Sequence, residues 1–460
     1  MKRSTPAVRL LALFLLTFPC VPAVIGDDSP ASERLRKQAE QFPEKVVEVA
    51  EGVYTAVGYS VSNVSMIVGD DGVIIIDTGL DVSGASKIVE QFQKFTDKPV
   101  KAIIYTHSHG DHTGGTTAFF GKERPQIWAR SNFGSEAKPW DDGGVTFHRV
   151  RGARQGGFKL PPEQRINNGI APAQYPKRGG EVFGSAKETE PTHTFDGERK
   201  QIAVAGVTLE LIAAPGETND GLCVWFPKQK VLFAGDTFYR SFPNLYAIRG
   251  TPNRSVRLWA NSLDTMVKLN ATSLVPGHTL PVLGEKETKQ ALTDYRDAVQ
   301  FVHDKTVEGI NKGLTPDELV EYVKLPKHLA EKDYLQPFYG NVEFGVRSIF
   351  NFYLGWFDGN PTTLFRLTPK EEAERMAKLA GGKDRLMAAA RKALEDDDPQ
   401  WSAQLADCLI ALDPTAKEPK LLKADALTAL GYQTVTATAR NYYLTVAREL
   451  REDVKGVERK

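Results

Sequence analysis

Residues 105–115 read YTHSHGDHTGG. Three of the chain's eight histidines crowd into this stretch, with an aspartate between them. An apolar run from Val100 to Tyr105, broken only by Lys101, leads into it, and Gly114 and Gly115 close it. His107 and His109, two apart on an extended or tightly turned segment, can face one metal ion. Asp111 and His112 come one step later, as the chain turns into a helix, and can face another. Imidazole nitrogen and carboxylate oxygen are the donors that a borderline divalent ion such as zinc prefers. The glycine pair then lets helix and strand approach closely. A complete spacing behind an apolar strand reads as a metal motif rather than as a histidine-rich surface loop.

Three further apolar runs end in a candidate ligand: LELIAAPGET at Glu217, VLFAGDT at Asp236 and SLVPGHT at His278. Ligands gathered at strand ends from distant stretches of sequence are how α/β proteins build sites. Glu217 has two alternatives: a carboxylate at a helix N-terminus, or replacement as ligand by Asp220. Asp236 reads as a bridge between two metals rather than a plain turn aspartate. His278 follows Pro-Gly at a strand end and reads as a ligand. His148, His193, His303 and His328 lack partner spacing and receive no role.

The rest of the chain frames these residues. At 460 residues, 41% apolar and 25% charged, two globular domains are expected. Zero formal net charge offers no global basic field for nucleic acid. From about residue 45 to 285, short apolar β-runs alternate with polar turns and with helical stretches such as SGASKIVEQFQKF (83–95), which predicts a layered α/β sandwich. SMIVG and VIIID flank Asp70-Asp71-Gly72, a hairpin signal. Residues 121–195, rich in Gly, Pro, Arg and Asn, read as an insertion near the mouth of the site. Residues 286–460 read as an all-α domain with a faint helical-repeat character. Within it two amphipathic stretches flank Pro414, and Gly431 stands where a C-cap glycine would.

At the N-terminus, Lys2, Arg3 and Arg9 precede an apolar core from Leu10 to Phe18, and Val24 and Gly26 are placed for cleavage before Asp27. This predicts a signal peptide over residues 1–26, too short to span a membrane, and a periplasmic or secreted mature chain of residues 27–460. Phe18 and Pro19 make Cys20 a poor lipid-attachment site. The remaining Cys223 and Cys408 cannot make a disulfide framework, so the chain relies on its core. No other segment approaches the run of about 20 apolar residues that a spanning helix needs.

HSHGDH, PGET, AGDT and PGHT, in this order, resemble the metallo-β-lactamase superfamily. The resemblance implies its αββα fold over residues 27–285. It implies that His107, His109 and Glu217 hold one zinc and Asp111, His112 and His278 the other, with Asp236 and a hydroxide bridging them. Asp77, which ends VIIID, matches the early aspartate that orients a ligand. Glu217 departs from the pattern, since most members carry a histidine there, and a carboxylate hardens the site.

NLYAIRG (244–250) is similar to a signature of the zinc-dependent alkyl sulfatases, and HTLPVLG and the helical stretch YGNVEFGVRSIFNFYLGWFDGNPTTL resemble blocks of the same group. The resemblance implies a homodimer through residues 286–460 and a substrate of the alkyl sulfate class. Two departures are Asp236, where better-known members have glutamate, and the lack of a sterol-carrier-like C-terminal domain. Arg249 and Asn244 are expected to hold the sulfate, since a planar guanidinium fork suits two of its oxygens. Asp111, Asp236 and Tyr246 are the candidate catalytic groups, Tyr246 as proton donor to the leaving alcohol. The rival readings are another hydrolase on the same metal site (lactonase, phosphodiesterase or β-lactamase) and a non-catalytic exported scaffold. Trp356 and Phe357 are expected to pack a dimer core, with an alkyl channel lined by Tyr353 and Trp356 as the alternative.

Overall fold

Val64–Val68 (β3) and Val73–Ile76 (β4) pair antiparallel with Val68 opposite Val73, so Asp70-Asp71-Gly72 closes the expected hairpin. The structure is a computed structural model and describes residues 28–174 and 189–456. The expected signal peptide, residues 1–26, lies outside the described residues. β3 and β4 belong to a seven-stranded sheet, with Lys45–Ala50 (β1), Val53–Val57 (β2), Val100–Ile104 (β5), Gln126–Arg130 (β6) and His193–Phe195 (β7), in sequential order. Pairing is antiparallel from β1 to β4 and parallel from β4 to β7.

A second, six-stranded sheet runs β13-β12-β11-β10-β9-β8. Its strands are Arg199–Val204 (β8), Val207–Ala213 (β9), Leu222–Phe226 (β10), Val231–Gly235 (β11), Ser273–Pro276 (β12) and Val282–Leu283 (β13). All pairs are antiparallel except β11 with β12.

Alternation decides which face each side chain serves. Ile74 and Ile76 of β4 point inward and meet Leu211, Val224, Phe233 and Val275 of the second sheet. Val73 and Ile75 point outward, where Ala85, Ile88 and Phe92 of the helix Val82–Phe92 cover them. On the far side of the second sheet, Leu232, Ala234 and Leu274 pack under Trp259, Leu263 and Met266 of the helix Val256–Lys268. Fully burying a Val, Leu, Ile, Phe or Met side chain of this kind contributes roughly 1.5–3 kcal/mol. The layers are therefore αββα, followed by a helical C-terminal region.

Three sequence readings meet the structure differently. The border at 285/286 falls at the start of the helix Glu285–Asn311, whose Ala291, Leu292, Ala298, Val299 and Val302 lie in the same core as Leu232 and Leu274. The outer helical layer of the sandwich thus continues past 285, and the core extends to Val346, Ile349 and Phe350. The span 121–195 is not wholly an insertion, because β6 and β7 lie inside it and extend the first sheet. Gly431 does not cap a helix. The helix Lys417–Gln433 runs through it, and a Cβ there would sit 2.8 Å from Leu444. The residue permits a close helix crossing instead.

Five helices end the described chain: Pro369–Ala380, Lys383–Glu395, Pro399–Leu412, Lys417–Gln433 and Ala437–Val454. The last lies against the helix Phe147–Gln155. There Arg154 and Glu449 make an ion pair of 2.6 Å, and the Asn441 side chain donates to the Gln155 carbonyl at 3.4 Å. Among the described residues no helix is long and apolar enough to cross a membrane. Apolar side chains stay exposed at the end of the helix Val342–Leu354 and beyond it, with Trp356 75% and Phe365 94% accessible.

The glycine pair after the histidines does what its position suggests. A Cβ at Gly115 would lie 2.1 Å from the Thr78 carbonyl oxygen and 2.5 Å from Ala85 Cβ. Backbone cannot yield cheaply, and forced overpacking costs about 1–3 kcal/mol or more. Gly115→Ala is therefore expected to lower the thermal unfolding midpoint and the bound metal together. An unchanged midpoint would show that the turn has room to spare.

Candidate functional site

The site forms where strands of both sheets end. His107 and His109 lie in the turn after β5, and His112 lies in the single-turn helix Gly110–Thr113 that follows. Glu217 stands in the β9–β10 connection, Asp236 directly follows β11, and His278 follows β12. Parallel β4, β5 and β6, and parallel β11 and β12, direct their C-terminal ends to the same rim.

Here three overlapping groups could each hold a metal ion: His107, His112 and Asp236; Asp111, His112 and His278; and His109, Glu217 and Asp236. All seven expected ligand residues are thus brought together. His278 Nε2 lies 3.2 Å from both oxygens of Asp236, and His112 Nε2 lies 3.4 Å from Oδ1. His107 Nε2 is 3.7 Å from Asp236 Oδ2, and His278 Nε2 is 3.6 Å from Asp111 Oδ2. Two donors that each bind a tetrahedral ion at about 2.0–2.2 Å sit roughly 3.3 Å apart. The spacing is that of ligands around an ion.

The proton inventory agrees. Asp77 Oδ2 takes a hydrogen bond from His112 Nδ1 at 2.8 Å, and the Val61 carbonyl takes one from His278 Nδ1 at 2.8 Å. Thr106 Oγ1 donates to Asp77 Oδ2 at 2.8 Å, which leaves it to accept from His107 Nδ1 at 3.1 Å. With Nδ1 occupied, each Nε2 keeps its lone pair for the site. His107 Nε2, His112 Nε2 and Asp236 Oδ1 are buried and make no hydrogen bond. Buried polar atoms without partners are costly unless something absent from the chain satisfies them. The donor set fits a divalent metal.

Charges are strongly coupled here. Burial lowers the His109 pKa well below its usual range, and His107, Arg249 and Arg254 add to that. A neutral imidazole is what a ligand must be. Burial opposes charge on His112, but Asp236, Asp77 and Asp111 outweigh it and raise its pKa well above the usual range. Burial would likewise raise Asp236, yet His278 and His112 hold it well below the usual carboxylate range. Metal binding then has a proton to displace from His112.

Arg249 is half-buried beside this cluster, its Nη2 3.5 Å from His109 Nε2. Its backbone N–H donates to Gln155 Oε1 at 3.0 Å, so the helix Phe147–Gln155 fixes its place. Asn244 is 2% exposed, and its amide Nδ2 makes no hydrogen bond. Tyr246 is half-buried on the same loop and makes no hydrogen bond among the described residues. Asp220, the alternative to Glu217, accepts from the Gly134 N–H at 2.9 Å, outside the three groups.

Sequence reasoning missed two residues. Arg254 Nη2 lies 3.0 Å from Glu217 Oε1, and Tyr239 Oη donates to Glu217 Oε2 at 3.2 Å. Neither has a spacing signal, because each acts across a loop. The one available hint was an arginine shortly after Arg249 in a stretch without acids.

Comparisons with known proteins agree with the architecture. Residues 57–278 match the family model "Metallo-beta-lactamase superfamily", and residues 315–453 match "Alkyl sulfatase dimerisation". The chain is 36% identical over 400 residues to a linear primary-alkylsulfatase of a Pseudomonas strain, covering 85% of this chain and 74% of that protein. It is 30% identical over 420 residues to an (R)-specific secondary-alkylsulfatase of Pseudomonas sp., covering 88% and 62%. The structure of the stereoselective inverting sec-alkylsulfatase Pisa1 from Pseudomonas sp. superposes with a TM-score of 0.82 at 29% identity, over 92% of this chain and 67% of that one. The chain thus spans about three quarters of the first relative and about three fifths of the second.

Asp77 touches His112 but belongs to none of the three candidate metal groups. It also has φ of 57°, a left-handed conformation that asparagine tolerates at least as well as aspartate. Asp77→Asn is therefore expected to keep the fold but weaken metal affinity by about ten- to a hundredfold, measured by chelator competition. Wild-type affinity would mean the Asp77 carboxylate does not orient His112.

Proposed function

The chain belongs to the alkylsulfatase family of the metallo-β-lactamase superfamily, and from that premise we propose that it hydrolyses alkyl sulfate esters to an alcohol and inorganic sulfate. The observation that carries the reading is Arg249, a guanidinium 3.5 Å from His109 of the candidate metal cluster, on the same loop as Asn244, whose buried amide has no partner. We assign His107, His109 and Glu217 to one zinc ion, Asp111, His112 and His278 to a second, and Asp236 to both.

Zinc, when bound, supplies Lewis acidity that brings water near a pKa of roughly 7, so that a nucleophile exists at neutral pH. The chain's own residues do the rest. Arg249 and the Asn244 amide hold the sulfate monoanion through charge-assisted hydrogen bonds. The buried walls exclude bulk water and strengthen those interactions. Tyr246, half-buried on the loop, is assigned to deliver the proton to the leaving alcohol. Tyr239 is unsuited to that task, since its hydroxyl is engaged by Glu217 and Asn244 and burial pushes its pKa up.

The family model over 315–453 and the exposed Trp356, Phe365 and Leu379 support a homodimer that covers these side chains. With residues 1–26 as an export signal, the proposed place of action is the periplasm or the exterior.

Arg249→Ala should raise KM and cut turnover on alkyl sulfates by at least about tenfold with two zinc ions still bound, since a charged hydrogen bond contributes about 1.5–3 kcal/mol. Loss of zinc in that variant would make Arg249 structural and refute the head-group assignment. His107→Ala should lose metal and activity together, and unchanged zinc content would remove it from the ligand set. Phe365→Glu should shift the species seen by light scattering from dimer to monomer. A dimer that survives this change in company with Trp356→Glu would place the interface elsewhere.

A further inference from the structure

Glu217 is enclosed by a ring of contacts. Its Oε1 lies 3.0 Å from Arg254 Nη2, and its Oε2 accepts from Tyr239 Oη at 3.2 Å. Arg254 Nη1 donates to the Asn244 carbonyl, and the Asn244 N–H donates to Tyr239 Oη at 2.8 Å. Arg254 is 3% exposed and Glu217 4%, so this circuit is sealed from water.

We infer that Arg254 is a positioning residue of the metal centre: it neutralises Glu217, allowing a carboxylate to serve where a neutral donor would otherwise be needed, and it ties that carboxylate to Asn244 on the anion-binding loop. This rests on the reading of Glu217 as a metal ligand.

Each carboxylate oxygen has two lone-pair directions, so one contact per oxygen leaves each able to bind an ion. Glu217 is also the third carboxylate of the centre, beside Asp111 and Asp236. Without a counter-ion it would add negative charge where an anionic substrate must arrive, and the charge of Arg254 cancels that addition. Finally, Arg254 is buried with Nη1 donating to the Asn244 carbonyl and Nη2 in ion-pair contact with Glu217, whereas Arg249 is only half-buried. The two arginines divide the work: Arg249 meets the substrate, and Arg254 acts through Glu217 and Asn244. A rigid planar fork can reach both groups at once, which a lysine cannot do.

The test is a cycle of wild type, Arg254→Met, Glu217→His and the double variant, with zinc stoichiometry by elemental analysis and zinc affinity by chelator competition. Arg254→Met should weaken zinc affinity by about ten- to a hundredfold, as the loss of a group that orients a ligand does. The double variant should lose less than the two single losses combined, because a neutral imidazole needs no counter-ion. Strictly additive losses would overturn the inference. Should Arg254→Met fail to fold, Arg254→Lys decides: it should keep zinc affinity but raise KM for dodecyl sulfate, since the charge remains and the tie to Asn244 does not. Zinc lost from the lysine variant would contradict the charge argument. Glu217→Ala separates the two readings. Both zinc ions held at wild-type affinity would show that Glu217 is no ligand, which removes the premise. Zinc lost from Glu217→Ala but bound normally by Arg254→Met would refute the inference alone.

Discussion

One buried carboxylate, that of Asp77, joins the sheet to the chemistry. Its N–H donates to the Ile104 carbonyl at 2.9 Å, which fastens the end of β4 to the end of β5. Its Oδ1 accepts the Thr106 N–H at 2.8 Å, and its Oδ2 takes both the Thr106 hydroxyl and His112 Nδ1. The turn that carries His107 and His109 is thereby held at both ends. The next residue, Thr78, receives the same helical turn, its N–H and hydroxyl both donating to the His112 carbonyl. Every other residue of the candidate metal groups must meet this fixed frame. Asp236 and His278 do so because β11 and β12 are parallel neighbours whose ends share a rim.

Around that frame the layers lean on one another. The last helix, Ala437–Val454, packs on the helix Phe147–Gln155, and Gln155 in turn receives the Arg249 N–H. Arg151 of that helix also donates to the Ile248 carbonyl at 2.5 Å. The position of Arg249 is therefore set by helices remote in sequence as well as by its own loop. Contacts of this kind explain why a helical region can matter to a site to which it lends no ligand.

What was legible in the sequence was the part with local grammar. The histidine motif sits on an apolar strand end, and Glu217, Asp236 and His278 each follow a β-run, so strand periodicity and residue chemistry sufficed to gather them. The hairpin at Asp70-Asp71-Gly72 and the helical stretch read at 83–95, which the structure shows as Val82–Phe92, were equally plain. Illegible were the features whose meaning lies across the fold. QIWAR is too short and too polar at its ends to announce β6 as an internal strand. The apolar stripe of Glu285–Asn311 looks the same whether its partner is a sheet or another helix, so its packing into the core of the second sheet cannot be read from periodicity. Arg254 and Tyr239 carry no spacing, and only the closed circuit through Glu217 and Asn244 reveals them.

The substrate class decides what the metal centre does. The direct measurement is sulfate release from dodecyl sulfate by the zinc-loaded protein, run beside a phosphodiester, a lactone and a β-lactam. Turnover of the alkyl sulfate, with little or none of the other three, is the predicted result. Turnover of another ester or the β-lactam without sulfate release would leave the metal centre in place and contradict the function assigned to it.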